Sequence, residues 1–75
     1  MTAGAPALVD ARGMRCPWPA VRLARAMREF RDVTLVADDP RAGAEVAALA
    51  AEHGWCVEPV DVAGLDEPCW RVRRD

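Results

Sequence analysis

The chain has 75 residues, of which 52% are hydrophobic and 29% are charged, and its formal net charge is -2. This length allows one small domain with a single core, and the composition is typical of a globular protein rather than a disordered one. All ten basic residues are arginine, which excludes Schiff-base chemistry on lysine, and the weakly acidic charge gives no general attraction to nucleic acid. No apolar run approaches the ~20 residues of a membrane span, and residues 1–6 lack the pattern of a signal peptide, so we expect a cytoplasmic protein without direct membrane or nucleic-acid binding.

The first half of the chain predicts alternating strands and helices. After a flexible tail over residues 1–6, a single domain over residues 7–75 opens with a strand over 7–11. A helix over 17–30 follows, because apolar residues recur there at helical spacing, ending with Phe30. A β-branched strand over 33–37 comes next.

A second helix begins at Asp38-Asp39-Pro40, a cap residue followed by proline, and ends at His53 or Gly54. His53 is expected on its apolar stripe. The third strand, over 55–62, contains Pro59, which cannot donate to a ladder and therefore predicts an edge position or a bulge.

A turn over 64–67 leads to a fourth strand over 69–73, in which Cys69 shares the solvent-facing side with Arg71 and Arg73. The order β-α-β-α-β-β predicts an α/β two-layer sandwich, with a mixed four-stranded sheet and both helices on one face.

Cys16 and Pro17 stand where the first strand turns into the first helix. Proline suits the first helical position, which places the Cys16 thiol at the N-cap. The positive end of a helix favours a thiolate and can lower a cysteine pKa from about 8.5 into the range of about 3.5–7.5, and Arg12, Arg15 and Arg22 would add positive potential. The alternative is a small buried Cys16 with two prolines that stiffen the turn, and spacing alone does not decide between them.

Within this order of elements, Asp10, the segment Gly13-Met14-Arg15-Cys16-Pro17-Trp18-Pro19 and the segment Asp38-Asp39-Pro40 resemble the TusA/SirA-like family of small sulfur carriers, over about residues 8–74. The resemblance implies that Cys16 accepts a sulfane sulfur as a persulfide and hands it to an acceptor sulfurtransferase. It further implies a cysteine desulfurase or a rhodanese-like protein as donor, and no metal or organic cofactor. The segment residues that shape the site around Cys16 are Gly13, Arg15, Pro17, Trp18 and Pro19.

Family members often carry lysine on the first helix, about where this chain has Arg22 and Arg25, so both are candidates for partner docking. Trp18 either contributes to that docking surface or packs against the strand ends. We expect a monomer, because a carrier that alternates between partners gains nothing evident from self-association. The sequence leaves open whether the sulfur goes to tRNA thiolation, molybdenum-cofactor steps or sulfur oxidation.

Cys56 and Cys69 have no place in the motif, and their expected separation is too long for a disulfide. Lesser alternatives are Cys69 as a resolving thiol, His53 as a general base, and a metal site in which Cys16, Cys56, Cys69 and His53 converge from distant positions. The main alternative function is a regulatory or scaffold protein of the same fold, which binds a partner through the first helix and leaves Cys16 unused or redox-sensing.

Overall fold

The computed structural model describes residues 6–75, so the tail predicted for residues 1–6 lies outside the described residues apart from Pro6. The predicted order of elements is confirmed. The elements are β1 (Ala7–Asp10), α1 (Trp18–Glu29), β2 (Asp32–Val36), α2 (Ala42–His53), β3 (Cys56–Val60) and β4 (Cys69–Arg73). None of the helices in residues 6–75 has the length and apolar character needed to cross a membrane.

The four strands form one mixed sheet in the order β1-β2-β4-β3. β1 runs parallel to β2, and β4 is antiparallel to both β2 and β3. Pro59 therefore lies in an edge strand, as its missing N–H predicts. The β3–β4 hairpin pairs Cys69 with Val60.

Both helices pack on the same face of the sheet and enclose the core. The buried hydrophobic residues of this core are Val9, Ala11, Leu23, Met27, Val33, Leu35, Ala37, Ala42, Val46 and Val72. Burial of one such large aliphatic side chain contributes about 1.5–3 kcal/mol. The predicted two-layer sandwich is confirmed.

The C-terminal ends of α1 and α2 differ in how well the sequence predicts them. Gly54 caps α2 at φ +73°, as predicted from its freedom to adopt the left-handed conformation. Phe30, expected on the apolar face of α1, is instead the extended residue after the helix and is 48% exposed. The reason is that α1 ends at Glu29, so helical spacing no longer directs Phe30 to the core.

The opposite face of the sheet carries paired charges. Arg71 donates through Nε to Asp32 Oδ1 at 2.9 Å and also pairs with the second oxygen. Cys69 shares this side, as predicted, but it is only 3% exposed, so its expected exposure to solvent is wrong. Its sulfur lies 3.4 Å from the Glu67 carbonyl oxygen, and Arg12 crosses the same end of the sheet to pair with Glu67.

Candidate functional site

The loop between β1 and α1 presents Cys16 next to the start of the helix. Trp18 donates its backbone N–H to the Arg15 carbonyl at 2.9 Å, and this turn takes the place of a first helical turn. Pro17 is consequently the N-cap residue and α1 begins at Trp18. Cys16 therefore lies one residue before the N-cap, and the predicted assignment of Cys16 as cap and Pro17 as first helical residue is wrong by one position.

Pro17 and Pro19 have different environments although both flank Trp18. Pro17 is exposed and is joined to Cys16 by a cis peptide bond. Pro19 is fully buried in the first turn of α1, where its missing N–H breaks no helical hydrogen bond. Pro19 therefore anchors the helix start in the core, next to the loop that carries the thiol.

Two adjacent carboxylates hold this loop from the other side. The Gly13 backbone N–H donates to Asp38, at 3.0 Å from Oδ1 and 3.1 Å from Oδ2. The Cys16 backbone N–H donates to Asp39 Oδ2 at 3.1 Å, and the Arg41 N–H donates to Asp39 Oδ1 at 2.7 Å. The carboxylates thus connect the β1–α1 loop to the entrance of α2.

These contacts explain why α2 starts later than the sequence predicts. Asp39 accepts N–H donation from Arg41 with its side chain and from Ala42 with its carbonyl oxygen. The resulting turn contains Pro40, and α2 begins at Ala42 with Arg41 as N-cap. A start at Asp38-Asp39-Pro40 was expected, and the part these aspartates play in holding the Cys16 loop was missed. The sequence carried a signal for this contact: the Cys16 loop and the two aspartates follow β1 and β2, and parallel strands bring their carboxyl ends to one edge of a sheet.

The Cys16 thiol is half-buried and favours its protonated form. Burial is the main cause that raises its pKa, and the nearby carboxylates of Glu45 and Asp39 raise it further. Arg41 opposes them with its positive charge. The expected lowering of the pKa by the helix end is therefore wrong for the free protein, because burial and two nearby carboxylates raise it instead.

The arginines expected to add positive potential at the sulfur, Arg12, Arg15 and Arg22, are not among the charges that shift the pKa of Cys16. Arg12 donates through Nε to Asp10 Oδ1 at 2.9 Å, and this contact is the main reason that the pKa of Asp10 falls to about 2. Arg22 also acts on Asp10 by its charge. Arg15 acts on Asp39, whose pKa is lowered chiefly by the backbone N–H groups of Arg41 and Cys16. Asp39 is therefore ionised at neutral pH.

An open groove of about 490 Å³ lies along the loop and the first two turns of α1. Its lining residues are Gly13, Met14, Arg15, Trp18, Val21, Arg22 and Arg25. Trp18 is 59% exposed, so the alternative that it packs against the strand ends is wrong. The groove combines an apolar floor with three arginines and includes five of the predicted site residues.

The remaining thiols and the histidine lie on other parts of the fold. Cys69 points to the sheet face opposite the helices, and Cys56 is exposed at the start of β3. His53 is exposed at the last turn of α2, where its ring stacks on Trp55 with centroids 4.5 Å apart. That position is the far end of α2 from Asp39, so His53 is not the general base of Cys16, and it is not on the buried stripe. The three cysteines are free, and no group of three or more His, Cys, Asp or Glu in residues 6–75 is arranged to hold a metal ion.

Comparisons with known proteins agree with this arrangement. The family model described as sulfurtransferase TusA matches residues 7–72. Among solved structures, the chain is similar to a SirA-like protein from Desulfitobacterium hafniense, with 21% sequence identity and a TM-score of 0.76. That likeness covers 88% of this chain and 93% of the other, and at this identity it shows the shared fold. No curated protein matches the sequence.

Proposed function

The chain belongs to the family of the sulfurtransferase TusA, a family of sulfur carriers, and on that premise we propose that Cys16 carries sulfur as a persulfide. The Cys16 thiolate attacks the terminal sulfur of a donor persulfide, the S–S bond of the donor breaks, and the donor leaves as a thiolate. The charge balances without an external oxidant or reductant. Transfer to an acceptor repeats the step with the acceptor thiolate as attacking group.

The observation that carries this proposal is the position of Cys16. It lies on the loop between β1 and α1, where its backbone N–H donates to Asp39 and its neighbours Arg15 and Trp18, but not Cys16 itself, line the groove, within the segment that the family model matches. The other two cysteines lack this setting, because Cys69 is buried on the opposite sheet face and Cys56 stands at the start of an edge strand. Cys16 is therefore the thiol that stands at the entrance of α1, between residues that line the groove, whereas the more exposed Cys56 lies at the start of β3.

We propose that docking of a donor also favours the reactive form of Cys16. In the free protein the thiol is mainly protonated at neutral pH, and only the thiolate attacks sulfur. A donor that brings positive charge next to Glu45 and Asp39 would favour the thiolate by offsetting the two carboxylates.

The groove supplies the docking surface of this proposal. We assign the donor to the class of cysteine desulfurases or rhodanese-like proteins and the acceptor to another sulfurtransferase. Trp18 offers an exposed aromatic anchor, and Arg22 and Arg25 offer positive charge for acidic side chains of either partner. The proposal includes a monomer in the cytoplasm, where a reducing environment keeps thiols free.

The test is intact-protein mass spectrometry under non-reducing conditions, after incubation with a cysteine desulfurase, its pyridoxal phosphate and cysteine. We expect the wild type to gain the mass of one sulfur atom, a gain that a reductant removes. Cys16→Ser should gain none, whereas Cys56→Ser, which removes an exposed thiol, should load like the wild type. Absence of loading from this donor and from a rhodanese-like donor with thiosulfate would support the regulatory or scaffold function instead.

Docking is tested separately with charge reversals on α1. Arg22→Glu should weaken donor binding, because it places a negative charge in the groove. Arg28→Glu is the matched control, since Arg28 is exposed in the last turn of α1 and does not line the groove. Equal weakening by both variants would contradict the assignment of the groove as the docking surface.

A further inference from the structure

Asp39 joins two parts of the chain that both border the thiol. Its side chain is only 8% exposed, and each of its carboxylate oxygens accepts one backbone N–H, from Cys16 at 3.1 Å and from Arg41 at 2.7 Å. A buried carboxylate with both oxygens engaged has little freedom to move, since leaving either N–H unpaired costs free energy. The main chain of Cys16 is therefore held at a set distance from the entrance of α2.

We propose that Asp39 is the positioning residue of sulfur transfer, whose carboxylate bridges the backbones of Cys16 and Arg41 and so directs the thiol toward the incoming sulfur. This inference rests on the proposed function of Cys16. Asp38 supports the same loop at Gly13, three residues earlier, with a second hydrogen-bonded carboxylate. Exchange between two sulfur atoms requires an aligned approach, so a fixed main chain next to the sulfur favours the reaction.

The same carboxylate has an opposing electrostatic effect. Asp39 and Glu45 both raise the pKa of the Cys16 thiol, and Arg41 lowers it, while Arg15 and Arg41 act by charge on Asp39 itself. Glu45 acts on the thiol by charge and makes no side-chain hydrogen bond to the loop in the part of the chain that the structure describes. Asp39 therefore affects the thiol both by its charge and by holding the Cys16 backbone, whereas Glu45 affects it by charge alone.

Asp39→Asn and Glu45→Gln form the matched pair that separates the two effects. Both remove a negative charge near the sulfur, so both should shift the pH dependence of Cys16 alkylation by iodoacetamide to lower pH. Asparagine has one acceptor oxygen where two backbone N–H groups point, so Asp39→Asn should also loosen the loop. We expect Asp39→Asn to accept sulfur roughly tenfold more slowly at saturating donor, the effect of one lost hydrogen bond to a charged group, and Glu45→Gln to load at least as fast as the wild type.

The measurements use a Cys56→Ser background, with peptide mapping to separate Cys16 from Cys69. A slower Asp39→Asn with a more acidic thiol supports positioning, because a charge effect alone would make it faster. Equal loading rates for the two variants would overturn the proposal. If Asp39→Asn does not fold, Asp39→Glu replaces it. It retains the charge and displaces the carboxylate, so slow loading supports the proposal and wild-type loading refutes it.

A readout on the free protein distinguishes this proposal from the proposed function. Hydrogen exchange of the Cys16 amide should accelerate in Asp39→Asn and stay unchanged in Glu45→Gln, with no donor present. If the wild type accepts no sulfur, the proposed function fails whatever the exchange result. If the wild type loads and the Cys16 amide exchanges equally in both variants, the positioning role of Asp39 fails and the sulfur-carrier function stands.

Discussion

Replacement of Gly13 by alanine tests how the loop before Cys16 depends on backbone conformation. Gly13 has φ +81°, in the left-handed region, and a Cβ built there meets no atom within 4 Å. The substitution therefore causes no steric clash, and its cost is the left-handed penalty of a non-glycine residue, about 1–2 kcal/mol. The Gly13 N–H must keep this conformation to reach Asp38 at 3.0 Å.

The assay compares thermal unfolding of Gly13→Ala with that of Gly64→Ala. Gly64 has φ +86° and is equally open, but it lies in the turn between β3 and β4. Both variants should lose similar stability, with Tm falling by about 4–8 °C for each kcal/mol in a domain of this size. Gly13→Asn should lose less, because asparagine tolerates the left-handed region. Only the Gly13 variants should also slow sulfur loading at Cys16, since only they disturb its loop.

Two results would refute this reasoning. If Gly13→Ala unfolds at the wild-type temperature, the left-handed conformation at Gly13 contributes nothing to stability. If Gly64→Ala slows loading as much as Gly13→Ala does, the loading defect comes from general loss of stability. In that case the Gly13 loop has no specific part in presenting Cys16.

Three further predictions concern the core, the open sheet face and the two other thiols. Leu23→Ala removes a fully buried side chain and should lower the free energy of unfolding by about 2–5 kcal/mol, measured by urea denaturation. The ion pair with Arg71 lowers the pKa of Asp32, so the stabilisation is complete above the ordinary carboxyl pKa of about 4 and is lost as pH falls toward the lower folded value. Urea denaturation from neutral to acidic pH should show this loss as a fall in the free energy of unfolding. In Arg71→Gln, which lacks the ion pair, the fall should be smaller. In native protein the exposed Cys56 should be alkylated first, whereas Cys69, buried and with a raised pKa, should react only on unfolding, as followed by mass spectrometry.

The fold was predictable because local signals agree with the packing. Apolar spacing identified both helices. Pro59 identified the edge strand, because a residue without an N–H cannot donate to the hydrogen-bond ladder that a central strand needs on both sides. Element boundaries were less predictable. The start of α1 moved from Pro17 to Trp18 because a backbone hydrogen bond from Trp18 to Arg15 closes a turn there, and sequence spacing does not distinguish that turn from a helical one.

The candidate site was only partly predictable, for reasons of distance along the chain. Cys16 and the arginines of α1 stand in or near one short segment, so the sequence identifies them together as candidates. The contact between Cys16 and Asp39 spans 23 residues, and the effect of Glu45 on the thiol depends on how α2 packs beside the loop. The raised pKa of Cys16 comes first from burial and then from these long-range carboxylates, and the helix-end argument took neither into account.

The place of β4 in the sheet has a consequence for synthesis on the ribosome. β4 is the last of the strands in chain order, yet it lies between β2 and β3 and pairs with both. A nascent chain that ends before Cys69 leaves the edge of β2 unpaired and gives β3 no neighbour, although both helices and the Cys16 loop are already made. Exposed strand edges promote association between unfinished chains. The Cys16 loop therefore gains a completed scaffold only after Arg73 has left the ribosomal tunnel.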